Sequence, residues 1–337
     1  MYNVYQHWDP LEVCVVGRSY PPEFYSWIQH PRVRTLFEKI AAETEEDYQA
    51  IISKLEEFNV KVLRPNLYEA SHYLLPDNSR YLPPPMTPRD YTVMVGSVFY
   101  DHTNQHAGWL SGWESIIKHV ADQGNTVRRT PHQWINGAMI TRVGRDLYIG
   151  TRFFDTDPKI FQHIANQEFT ATRNHIVNTG GHSDGTFCAV TPGLIISLYD
   201  VPSYAATFPG WEVIYLPGQS WDQVKPFLDL KEKNQGKWWI PGSEHDQEVI
   251  DTVETWLDHW VGYVEETVFD VNMLIVDPKN VLVFNYNKTV FDALDRYGVT
   301  AHVVPFRHRY FWDGGIHCVT SDLHRRGQMQ NFFPERD

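Results

Sequence analysis

The stretch GGHSDGTFCAVTPGLIISL, residues 180–198, decides how the chain folds. Its second half is two apolar runs joined by Thr191-Pro192-Gly193, the turn chemistry of a β-hairpin. Its first half is polar and rich in glycine, and it delivers His182, Ser183 and Asp184 just ahead of the first strand. The arrangement recurs. Residues 91–99, 139–149 and 273–284 also read apolar, turn, apolar, with turns at Val95-Gly96-Ser97, Val143-Gly144-Arg145-Asp146 and Asp277-Pro278-Lys279-Asn280. The starts at 91, 139 and 187 are 48 residues apart, and the start at 273 lies 86 further on, close to two such periods. Self-similarity at this spacing marks a repeated supersecondary unit.

Helical patterns fill the intervals. Apolar residues at spacings of three and four predict a helix over 34–58, flanked by strands at 13–17 and 60–63. Further helices are expected at 106–123, 158–165, 221–228, 247–261 and 288–297, the last closed by Gly298 as its cap. Hairpins alternating with helices give an α/β fold of short strands around a common centre. No Ser/Gly-rich linker interrupts it, so one domain over 1–337 is expected. The net charge of −13 repels phosphate backbones and argues against nucleic acid as a partner. No run of about 18 apolar residues is present to cross a membrane. Three cysteines, an odd and sparse set, point to a reducing compartment. The first residues show neither the signal-peptide pattern nor an Arg-rich presequence, so a cytoplasmic location is expected.

Four stretches carry more polar detail than a turn needs: 86–90, 134–138, 180–187 and 313–320. Asp90 and Asn136 are 46 residues apart, as are Asn136 and His182. If the repeats ring a centre, these residues meet there. Glycine pairs precede His182 and Ile316, allowing close backbone approach and leaving amides free for a ligand. Cys318 lies in such a setting, whereas Cys14 and Cys188 sit inside apolar runs and read as packing. The histidines at 302, 308, 317 and 324 are spread over loop and strand and read as coincidental. No dinucleotide or phosphate loop, C-x-x-C, H-E-x-x-H or G-x-S-x-G motif occurs, and neither metal nor cofactor is expected.

The opening YNVYQHWDPLEV through Gly17-Arg18, Pro88-Arg89-Asp90, HSDGTF at 182–187, and GGIHCVT at 314–320 through Arg325-Arg326-Gly327 together resemble the glycine amidinotransferase family, a branch of the pentein superfamily. The H-x-D-x-T-F and C-terminal motifs are specific, while residues 200–260 carry no recognisable match. The resemblance implies a five-bladed α/β propeller of pseudo-fivefold ββαβ repeats, closed by the first strand and the last unit. It implies transfer of an amidino group from arginine to an amine, releasing ornithine, with glycine one candidate acceptor. Cys318 would be the nucleophile and His182 the acid and base, with Asp90, Asp184 and Arg89 at the substrate. The partners implied are these small molecules, with a homodimer as the assembly to look for. Asn136 stands where the family has an acid bonded to its histidine. Val201 stands where it has a carboxylate-binding arginine, and Glu265 and Glu266 where it has paired serines. A hydrolase of the same superfamily and a non-catalytic guanidine-binding protein remain open alternatives.

Overall fold

Strand β1 (Leu11–Val16) is followed by a long helix, Pro31–Glu57, and by β2 (Lys61–Leu63), which runs parallel to β1. The next three strands repeat the pattern. Strands β3 (Thr92–Val95) and β4 (Val98–Asp101) form an antiparallel hairpin, the helix Ala107–Asp122 crosses over, and β5 (Thr126–Arg129) lies parallel to β4. Strands β6 (Ile140–Val143), β7 (Asp146–Thr151) and β8 (Arg173–Asn178) do the same around the helix Pro158–Glu168. So do β9 (Phe187–Thr191), β10 (Leu194–Ser197) and β11 (Glu212–Tyr215). The last full unit is β12 (Leu274–Asp277), β13 (Asn280–Val283) and β14 (Thr300–Val303), around the helix Lys288–Arg296. Strand β15 (Thr320–Arg325) then pairs antiparallel with β1 and completes the first sheet. Among the described residues five three-stranded sheets result, each an antiparallel pair plus a parallel third strand. This computed structural model describes residues 1–69, 74, 81–102, 107–151, 157–198, 204–216, 238–257, 268–312 and 314–337.

The four hairpins form at the turns their chemistry marks. Gly96, Gly144 and Gly193 all adopt positive φ there. The Pro31–Glu57 helix buries Val33, Phe37, Ile40, Tyr48, Ile51 and Leu55, an apolar stripe at helical spacing. Each such side chain contributes about 1.5–3 kcal/mol relative to exposure. The helix expected at 247–261 is α-helical only over Gln247–Thr252 and widens into a π-turn, Val253–Leu257. The remainder of that segment, and the helix expected at 221–228, lie outside the described residues. Among the described residues no helix is long and apolar enough to cross a membrane.

The ring has two different ends. At the hairpin-tip end the termini lie across the turns. Val4 and Gly96 exchange backbone hydrogen bonds of 2.9 Å, and Gly144 N donates to Tyr5 O (3.0 Å). A Cβ on Gly144 would sit 2.1 Å from Gln330 O, so glycine serves both the turn and the close passage of the C-terminal segment. At the other end the chain enters β15, β3, β6, β9 and β12, and there the polar stretches gather.

Candidate active site

The five entry segments are joined by hydrogen bonds into a closed circuit. Arg89 N donates to Cys318 O (3.4 Å), and Gly137 N to Arg89 O (2.9 Å). Asp184 N donates to Ala138 O (3.2 Å), with Ser183 Oγ on the same carbonyl (2.9 Å). Asn272 Nδ2 donates to Asp184 O (3.1 Å), and Asn272 Oδ1 accepts from His317 N (2.9 Å) and Cys318 N (3.2 Å). The loop before each first strand is thus held by its neighbours, and residues from positions 89 to 318 meet at one end of the axis.

Cys318 is 8% exposed, yet polar groups surround its sulfur. Sγ lies 3.4 Å from Asp184 Oδ2 and receives Asn272 Nδ2 at 3.1 Å. His317 Nδ1 donates to Asp184 Oδ2 (2.8 Å). Burial holds the His317 imidazole well below its usual range, with Arg89 pushing the same way, so the ring is neutral and donates through Nδ1. By contrast, burial in the hydrophobic core pushes the Cys14 thiol up to about 12, and Cys188 packs against an apolar cluster that includes Val190, Leu194 and Ile196.

Two carboxylates flank the thiol region. Burial pushes the Asp184 carboxyl up to about 6 against the pull of His182, and Asp90 adds to the rise. Burial raises Asp90 as well, again against His182. Asp184 Oδ1 and Asp90 Oδ1 are both buried without a hydrogen-bond partner among the described residues. His182, half exposed at 49%, directs Nδ1 toward Asp90 Oδ1 at 3.8 Å, and His102 Nε2 donates to Asp90 O (2.6 Å). The site therefore combines a thiol, a solvent-reachable imidazole and two carboxyl oxygens with unfilled acceptor capacity. Such a pair suits a planar cation that donates along two edges. Among the described residues no three His, Cys, Asp or Glu side chains are placed to hold a metal ion.

Two expected site residues do different work. Arg89 is fully buried and turned away from the acids. Its Nε donates to His317 O (2.7 Å) and Thr320 O (2.9 Å), and its Nη1 to Asp322 Oδ1 (2.8 Å). These bonds brace the Cys318 loop, and its Nη2 is buried without a hydrogen-bond partner among the described residues. Asn136 spends its amide within its own turn, donating to Gln133 O and accepting from Met139 N (2.9 Å). It does not orient His182; the carboxylate facing that ring is Asp90. Val201, Glu265, Glu266 and Asp313 lie outside the described residues.

Asn272 and His317 were not expected here. Asn272 stands two residues before β12, as Asp90 stands two before β3 and Cys318 two before β15, so the repeat register marked the position. Beneath the loop lies a buried charge cluster that sequence reading also missed. Asp322 accepts from Arg89, from both oxygens' contacts with Arg142 Nη2 (2.8 Å each) and from Arg325 Nε (2.7 Å). Burial pushes the Asp322 carboxyl up, but Arg142, Arg89 and Arg325 reverse this and hold it well below the usual carboxylate range.

No protein-family model matches the chain. It is 23% identical over 391 aligned positions to the mitochondrial glycine amidinotransferase of Gallus gallus, covering 98% of this chain and 84% of that protein. Its fold superposes with TM-score 0.68 on an amidinotransferase from the saxitoxin biosynthetic pathway of Microseira wollei, at 17% identity over 98% of this chain and 99% of the other. A dimethylarginine dimethylaminohydrolase aligns with TM-score 0.55 and 13% identity over 93% of this chain and 99% of the other. The five sheets are the pseudo-fivefold pentein architecture that the sequence resemblance implied.

Proposed function

We propose that this chain, a pentein-fold homologue of the glycine amidinotransferases, moves the amidino group of arginine to an amine through a covalent intermediate on Cys318. The observation that carries the reading is the pair of partnerless buried oxygens, Asp90 Oδ1 and Asp184 Oδ1, bordering the thiol loop. A guanidinium donates along its edges to both, and its single positive charge offsets part of the negative charge that burial disfavours. With that charge partly offset, Cys318 passes its proton through solvent to His182, and its sulfur attacks the central carbon. The carbon–nitrogen bond to the side chain breaks as His182 protonates the departing amine, and ornithine leaves. An amidino-thioether remains on Cys318. The acceptor amine attacks it, His182 takes the proton, and the carbon–sulfur bond breaks to restore the thiolate.

The half-exposed position of His182 lets one ring serve an outgoing and an incoming amine. It also favours the second reading, in which water replaces the acceptor and the enzyme is an arginine hydrolase. Incubation with arginine, with and without amines such as glycine or lysine, separates the two. Ornithine that appears only with an amine supports transfer. Citrulline or ammonia in the absence of amine supports hydrolysis. Neither product, with arginine still bound, sinks both and leaves a guanidine-binding protein.

A further inference from the structure

Asn272 is buried, and both ends of its amide are spoken for. Its Oδ1 receives two backbone N–H groups, His317 N and Cys318 N, which can only donate. That fixes which end of the amide is oxygen, because a flipped side chain would set NH2 against two N–H donors. Its Nδ2 then has two hydrogens and two acceptors, Asp184 O and Cys318 Sγ, each at 3.1 Å. Gly315 belongs to the same construction. A Cβ there would lie 2.3 Å from Asn272 Oδ1, so the glycine lets the loop close on this amide. Gly315 thus makes room for a protein side chain, while Gly314 meets only ordinary contacts.

We infer that Asn272 is a catalytic residue of this site, a fixed amide donor that stabilises the Cys318 thiolate; the assignment deepens the covalent reading above and rests on it. A thiol sulfur is a weak acceptor and a thiolate a strong one, so a donor locked at 3.1 Å favours the ionised form. The other group at the sulfur works the opposite way. Asp184 Oδ2, 3.4 Å from Sγ, accepts the S–H bond and opposes a second negative charge. When the sulfur loses its proton that contact has no hydrogen left, and the Asn272 amide remains on the charge. It remains again when the amidino-thioether breaks and the sulfur departs as an anion. Asn272 also ties the Asp184 backbone to the Cys318 loop, beside the contacts that His317 and Cys318 make with Asp184 Oδ2, so it helps to place acid and sulfur in register.

The test reads thiol ionisation with no substrate present. Cys318 is alkylated with iodoacetamide across pH, with iodide leaving as the carbon–sulfur bond forms, and the modified peptide is quantified by mass spectrometry. In Asn272→Asp the acceptor for the two backbone N–H groups is retained, while an oxygen replaces the donor at the sulfur. The midpoint should rise by one pH unit or more, and labelling at pH 7 should fall about tenfold. An unchanged midpoint in folded Asn272→Asp overturns the assignment. If that variant does not fold, the wild-type protein labelled with 15N-asparagine decides. One side-chain amide should shift with the titration of Cys318 and lose that response in Cys318→Ala; an amide set blind to the titration overturns it. Either failure leaves the amidino-transfer reading standing, because that reading is judged by ornithine.

Discussion

Two groups of buried acids sit at the same end of this molecule and differ in what surrounds them. Asp322 is enclosed by the guanidinium groups of Arg89, Arg142 and Arg325, and its carboxyl is held far below the ordinary range. Asp184 is also buried and Asp90 is partly so, but each keeps one buried oxygen without a partner among the described residues, and their carboxyls are pushed up. The chain supplies guanidinium cations to one acid and withholds them from the other two. The satisfied acid ties the sheets together at the axis; the unsatisfied pair creates a demand that an arginine substrate would meet. On the proposed reading, a carboxylate here is structural or substrate-seeking according to whether its counter-cation is built into the chain.

The contrast breaks first at Asp322. Asp322→Asn leaves three buried guanidinium groups short of their shared anion and should destabilise the protein by about 3–5 kcal/mol, read by urea denaturation. A loss under about 1 kcal/mol would show that the cluster is not structural. Asp184→Asn should move stability the other way. The folded state raises this carboxyl from 3.8 to about 6, so between those values it holds a proton that the unfolded chain has lost. Stability therefore falls as pH rises through that window, and the cost is fully present above about pH 6. Removing the charge should stabilise the protein by about 2–3 kcal/mol at pH 7.5, a gap that closes below about pH 4, while turnover is lost. Equal stability at both pH values would contradict the account of Asp184.

The same linkage sharpens the site's preference for a cation. Arginine binding should release up to about one proton near pH 5.5 and tighten up to about tenfold per pH unit toward pH 6, then level off. Calorimetry in buffers of different ionisation enthalpy measures this, and binding with no proton release would count against the acid pair. The smallest effect belongs to Asn136→Asp. That change sets a carboxylate against Gln133 O and should cost about 1 kcal/mol, read by thermal unfolding. It should not raise the transfer rate, because the amide serves its own turn; a faster enzyme would restore Asn136 to the chemistry.

Much of this was legible from residue order. The hairpins announced themselves because turn chemistry is local, and Asp90, Asp184 and His182 because polar residues ahead of each strand stand out against apolar runs, whereas Cys318 was singled out chiefly by the family resemblance. Direction was not legible. Asp90 and Arg89 are adjacent, yet one reaches the mouth and the other reaches Asp322 beneath the loop. The choice depends on the 3-10 turn at Pro88–Asp90, whose pitch no spacing rule reports. Asn136 keeps the repeat spacing but folds back on its own backbone. Asn272 reads as an ordinary pre-strand asparagine because the groups it serves lie 45 and 46 residues further along. His317 was set aside among scattered histidines, although the Asp184 contact makes it part of the site.

The central claim is that Cys318 carries the amidino group between donor and acceptor. Acid quenching of enzyme mixed with arginine labelled at the guanidino carbon, followed by peptide mass spectrometry, tests it directly. The account predicts one labelled peptide, bearing the amidino group on Cys318, absent in Cys318→Ser and discharged by an amine acceptor. Label on another residue, or turnover that survives Cys318→Ser, would contradict it.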